Sequence, residues 1–188
     1  MSTASTAQPD ASSAPRFTAG LYFQSLTGLL GSPRRFFTDL PPQEGLRTPF
    51  LFLLLSALFN TAASMTTISE HRTLVAAVVF LNGLIMPMAG AAAGFLTLRM
   101  LSRERPPFAA LHAVYAYAGG VVLLASWIPL FVWITEPWRW VLIFLGLVKT
   151  AGLSRRAAVL VLAGSILLVA LFFASLAPAL VALKNALG

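Results

Sequence analysis

Apolar residues run almost unbroken through five stretches of the chain, and the short breaks between them carry nearly all the charge. The first stretch, 48–67 (TPFLFLLLSALFNTAASMTT), has twenty residues. As a helix it covers about 30 Å, the thickness of a hydrocarbon core. Thr48 and Pro49 open it as N-cap and first helical residue. The second, 73–101, follows the polar break Ser69-Glu70-His71-Arg72 and is longer than a span needs, which with Pro87 predicts a kink or tilt. The third, 108–134, opens behind Arg105-Pro106-Pro107 and contains Gly119-Gly120 and Pro129. A short fourth, 138–153, starts behind Glu136-Pro137; its sixteen residues would cover about 24 Å, either a marginal span or a re-entrant segment. The fifth, 157–183, is uninterrupted until Pro178. Runs of this length without ten-residue alternation exclude an outer-membrane barrel. The pattern predicts an all-α fold, a polytopic membrane helix bundle of five transmembrane helices over 47–188. The runs differ in length and glycine placement, so no inverted repeat is expected.

Ahead of the spans, 20–30 (GLYFQSLTGLL) places Tyr22, Leu26, Leu29 and Leu30 on one helical face, and Gly31 ends it. Ser32 and Pro33 then start a second short helix, in which Phe36, Phe37 and Leu40 fall on one side and Arg34, Arg35 and Asp39 on the other. Pro41-Pro42 stops it. Two short amphipathic helices over 20–46, basic on one face and aromatic on the other, suit the cytoplasmic membrane interface. Pro33, Arg34, Arg35, Phe36 and Phe37 form the expected anchor, with the two phenylalanines either in lipid headgroups or docked against the bundle. Residues 1–19 begin with small polar residues and two prolines, which predicts a disordered tail; without Lys, Arg or an apolar core in 1–15 it is not a secretory signal.

Composition sharpens the solvent. Of the 188 residues 58% are hydrophobic and 10% charged, against roughly 45–50% and about 25% in soluble domains. So much apolar surface cannot be hidden in a core of this size. The net charge of +7 lies between apolar runs, which marks contact with anionic headgroups on the cytoplasmic side and not nucleic acid. With five spans and the N-terminus inside, ten of the thirteen Lys and Arg fall inside, and only Arg72, Arg139 and Lys184 outside. A fourth segment that did not cross would reduce the split to eight against five. The positive-inside rule therefore favours five spans, N-terminus cytoplasmic and C-terminus outside. Trp127, Trp133, Trp138 and Trp140 cluster at the outer junction of the third and fourth spans, as an aromatic belt would.

Little of the sequence reads as chemistry. There is no cysteine, and the two histidines, His71 and His112, fall in different regions without the close pairing of a metal site. His71 belongs to a loop. His112 and Tyr115, three residues apart on one face, are either interfacial residues or part of a polar lining. Asn60 and Asn82 lie at depth and are expected to face other helices, where an amide finds a partner. Together Asn60, Asn82, His112, Tyr115 and Tyr117 are the candidates for an intramembrane polar lining. No Asp or Glu falls within a span, which disfavours proton-coupled or cation transport. Gly83, Pro87, Gly90 and Gly94 mark a packing face, and Gly90–Gly94 is a GxxxG that predicts close backbone approach.

The order of short helix, SPRRFFTDL and five spans resembles the Yip family of membrane proteins. Pro33, Phe36 and Phe37 match its juxtamembrane P-x-x-F-F. Phe108 and Tyr117-Ala118 match its third span. Trp138, Leu142, Gly146 and Leu147 match its fourth, followed by a small-residue turn at Gly152 to Ser154. The likeness covers about residues 20–183 and implies a five-span fold. Eukaryotic members act in vesicle traffic; the short N-terminal segment and compact loops here are similar to bacterial members, and GTPase binding is not carried over. The expectation is a non-enzymatic protein of a bacterial-type inner membrane, without cofactor, that scaffolds other membrane proteins or self-associates. The alternative is a translocation component for a lipid or small molecule.

Overall fold

A computed structural model describes residues 17–41, 45–68, 71–101, 106–128 and 130–187. Most of the expected tail therefore lies outside the described residues, as do Pro42, Ser69, Glu70, Arg103, Arg105 and Pro129. The described chain is all helical: α1 Ala19–Gly31, α2 Pro33–Asp39, α3 Arg47–Ser64, α4 Arg72–Leu101, α5 Phe108–Ser126, α6 Val132–Lys149 and α7 Arg155–Leu187.

Three of these are long and apolar enough to cross a membrane, over Arg72–Met100, Phe108–Ser126 and Arg155–Phe172. The other two bundle helices, α3 and α6, have 18 residues each. α3 opens on Arg47, and α6 carries Glu136, Arg139 and Lys149.

Several boundaries differ from the hydrophobic pattern. α3 starts at Arg47, with Leu46 as a cap that offers no side-chain hydrogen bond. Pro49 still falls in the first turn, where its missing N–H costs nothing. α4 runs through Pro87 as one helix. The third apolar run divides: α5 stops at Ser126, and α6 begins at Val132 with Pro137 inside it. Proline at 129 has no N–H to bond the Ala125 carbonyl. That carbonyl accepts instead from the Ile128 N–H at 3.2 Å, and the Trp127 indole donates to the Leu124 carbonyl at 3.0 Å. Leu130 then reverses the chain at φ 69°.

α5 is the centre of the bundle. Every residue from Ala110 to Val122 is buried, and α5 packs against α1, α3, α4 and α6, while α7 packs on α4 and α6. The α6–α7 turn closes on Gly152 at φ 68°, with the Leu153 N–H reaching the Leu147 carbonyl at 3.1 Å. This is the left-handed cap that glycine makes without a Cβ penalty. The Ser154 hydroxyl caps α7 by accepting from the Ala157 N–H at 3.3 Å.

α1 and α2 form a hairpin folded onto the bundle. Thr18 caps α1 by accepting from the Leu21 N–H, and Gly28 faces the ring of Phe36 across the hairpin. On α1, Tyr22 and Leu26 are half-buried and Leu29 is fully buried, whereas Leu30, expected on the same face, is 58% exposed. At 100° per residue Leu30 lies at one edge of the stripe, beyond the reach of the packed face.

Candidate functional site

The sequence candidates are distributed around α5 and not along one path. Tyr115 points towards α4 and α7. Its hydroxyl donates to Ser165 Oγ at 2.8 Å, and Ser165 in turn donates to the Leu162 carbonyl at 2.8 Å. A Cβ built on Gly90 would lie 2.9 Å from the Tyr115 ring, and one on Gly94 would lie 2.9 Å from its hydroxyl. The GxxxG thus admits a tyrosine ring, which corrects the expected backbone-to-backbone contact. Small residues leave a slot, and the facing helix supplies a large side chain to fill it.

Tyr117, two residues on, turns to the opposite side of α5. Its ring lies 5.0 Å from Phe36 of α2 and 5.1 Å from Phe52 of α3, and Phe52 lies 4.9 Å from Tyr22 of α1. The Tyr22 and Ser56 hydroxyls are 3.1 Å apart, and Ser56 donates to the Phe52 carbonyl. Tyr115 and Tyr117 are both among the residues expected for a polar lining, whereas Ser56 and Ser165 carry no such signal in the sequence. Serine in an apolar run gives no sign of which helix will meet it.

His112 is buried near the start of α5, its ring 6.2 Å from that of Phe108, and its Nδ1 has no hydrogen-bond partner among the described residues. Phe108 meets Phe95 of α4 edge-on, and the Arg99 guanidinium lies 4.6 Å above the Phe95 ring. Asn60 is buried, and its Oδ1 has no hydrogen-bond partner among the described residues. Phe52 lies against Gly120 and, further along, Ala57 and Leu123 both meet Gly83, so Asn60 lies towards the Ser126 end of α5. His112 lies at the other end. Asn82 is exposed on α4, against the expectation that it faces other helices: its neighbour Gly83 takes the inward position beside Ala57 and Leu123. His71 occupies an exposed turn at φ 49°.

Other glycines repeat the Tyr115 arrangement. Pro87 of α4 fills the space of a Cβ at Gly119, and Phe52 of α3 that at Gly120. Val114 of α5 and Phe37 of α2 close on Gly146 of α6, and Thr97 of α4 closes on Gly164 of α7. Each contact joins two helices through one missing side chain.

In the anchor segment Phe37 is 0% exposed, Phe36 is half-buried, and both rings pack on the bundle. The Phe37 carbonyl accepts from the Thr150 hydroxyl at 2.7 Å. Arg34 and Arg35 are exposed, Arg35 3.5 Å from Asp39.

An all-helical bundle with apolar helices of spanning length defines a multi-pass membrane protein. Residues 27–177 match the Yip1 domain, and the chain belongs to the Yip family. No curated protein and no solved structure matches it. The family is one of non-enzymatic membrane proteins.

Proposed function

We propose that the chain is a non-enzymatic scaffold or accessory subunit in a bacterial-type inner membrane. All five of α3 to α7 cross the bilayer, with the N-terminus inside and the C-terminus outside. The observation that carries this reading is the interlock around α5, where glycine after glycine is closed by a side chain of a neighbouring helix. Such a centre favours holding helices in fixed register over opening a path. The polar candidates weigh the same way, since Tyr115 and Tyr117 face opposite sides and Asn60 and His112 opposite ends. At 18 residues, α3 and α6 each cover about 27 Å, short of a core of about 30 Å by about half a turn. The ten-to-three division of Lys and Arg supports the topology.

Capture from native membranes in a mild detergent, followed by mass spectrometry, is expected to recover a stoichiometric membrane-protein partner. Recovery of the chain with nothing stoichiometric would overturn the scaffold reading. A reporter fused after Gly188 is expected to behave as external, and cytoplasmic behaviour would overturn the orientation.

A further inference from the structure

A cavity of about 310 Å³ opens between α4, α5, α6 and α7. Tyr115 and Ser165, both buried, form its inner end; Pro87, Ile143 and Ile166 are among its walls; Arg139 lies at its mouth. We propose that this groove holds an acyl chain of a phospholipid whose phosphate is bound by Arg139.

The inner end selects hydrocarbon. Both hydroxyl protons there are already used, Tyr115 donating to Ser165 and Ser165 to the Leu162 carbonyl. A ligand carbonyl or other acceptor pushed to this depth would find no free donor and stay unpaired, which costs more than an apolar chain. The volume is at the low end of small-ligand sites, about 300–1,000 Å³.

The mouth selects phosphate. Arg139 forms an ion pair with Glu136 through one terminal nitrogen, and both side chains are about one-third exposed. A guanidinium has five N–H donors. Among the described residues Glu136 is its one ion-pair partner, so donors remain in the planar fork that suits a phosphate. The pair is not on an aqueous loop. Leu130, Trp133 and Ile134, at the beginning of α6 and in the turn before it, are exposed apolar residues, and Trp140 beside Arg139 also faces the groove. Arg139 lies seven residues, about 10 Å, along α6 from Val132, and its long side chain between lipid-facing apolar residues reaches the headgroup level of one leaflet by snorkelling. One chain inward and one phosphate at the mouth satisfy both ends at once.

The test uses the full chain in phosphatidylcholine vesicles carrying a trace of phosphatidylglycerol with a photoactivatable group in one acyl chain. Labelling at Ile143 and within 166–170 is expected well above that at the lipid-facing residues Leu55, Leu58, Phe59, Leu81 and Ile85. A photoactivatable diacylglycerol, which lacks phosphate, should not concentrate there. Glu136→Gln with Arg139→Gln keeps the site neutral and should lower groove labelling about tenfold, the worth of a charged hydrogen bond. Glu136→Gln alone should retain it. Ala170→Trp, at an exposed position lining the groove, should block labelling with unchanged thermal stability. Equal labelling of all lipid-facing surfaces would overturn the proposal. Labelling removed by Ala170→Trp but kept by the double variant would overturn the phosphate assignment.

Discussion

The Tyr115 hydroxyl on α5 donates to Ser165 Oγ on α7 at 2.8 Å, across the slot that Gly90 and Gly94 leave on α4. Three helices are thereby joined by one side chain. Tyr115→Phe keeps the ring and removes the bond, so a loss of about 1 kcal/mol is expected. Gly90→Val puts branched carbon against the ring and should cost about 1–3 kcal/mol. The two effects have different partners, so adding Tyr115→Leu should relieve much of the Gly90→Val cost and none of it should be relieved by Ser165→Ala. Thermal unfolding of the purified protein in detergent separates them.

Gly146 on α6 faces Val114, whose methyl groups would lie 2.6 and 2.8 Å from an added Cβ. Gly146→Ala should therefore destabilise by about 1–3 kcal/mol, as overpacking does. Val114→Ala alone leaves a small void. Combined, the two should cost less than their sum, with a coupling of about 0.5–3 kcal/mol in a double-mutant cycle. Additive costs would mean that another neighbour, such as Phe37 at 3.1 Å, sets the limit.

The extent of each helix was legible wherever a charge or proline bounded an apolar run, as at Arg72, Phe108 and Arg155. It was not legible between α5 and α6, because the reversing turn is itself apolar. Trp127, Ile128, Leu130 and Phe131 offer no change in hydropathy, and the reversal lies in a hydrogen-bond shift and in the φ of Leu130. The packing role of Gly83, Gly90 and Gly94 could be read from their spacing, but their partners could not. Which side chain enters each slot depends on helix register in three dimensions. The same holds for Thr150 and Phe37, joined across 113 residues by one hydrogen bond.

Gly152 holds the α6–α7 turn at φ 68°. An added Cβ there would meet nothing within 4 Å, so space is not the constraint. Gly152→Ala should cost about 1–2 kcal/mol through backbone strain alone. Gly152→Asn, which tolerates the left-handed region better, should recover part of that loss. An equal cost for both in thermal unfolding would show that the turn gives way to another conformation.

Phe37 is the main apolar tie of the α1–α2 hairpin to the bundle, fully buried between α5 and α6. Phe37→Ala should remove about 3–5 kcal/mol of packing. That loss falls on the hairpin and not on the α5 interlock, because Val114 still closes on Gly146. The expected readout is therefore local: faster amide exchange and proteolysis over 19–40, with 108–122 still protected. Thr150→Val removes only the hydrogen bond to the Phe37 carbonyl and should act in the same place at about 1 kcal/mol. Phe36, half-buried against Tyr117, should give an intermediate effect as Phe36→Ala. Should Phe37→Ala raise exchange in α5 as strongly as in α1, the hairpin and the bundle unfold as one cooperative unit, and α2 is a structural part of the core.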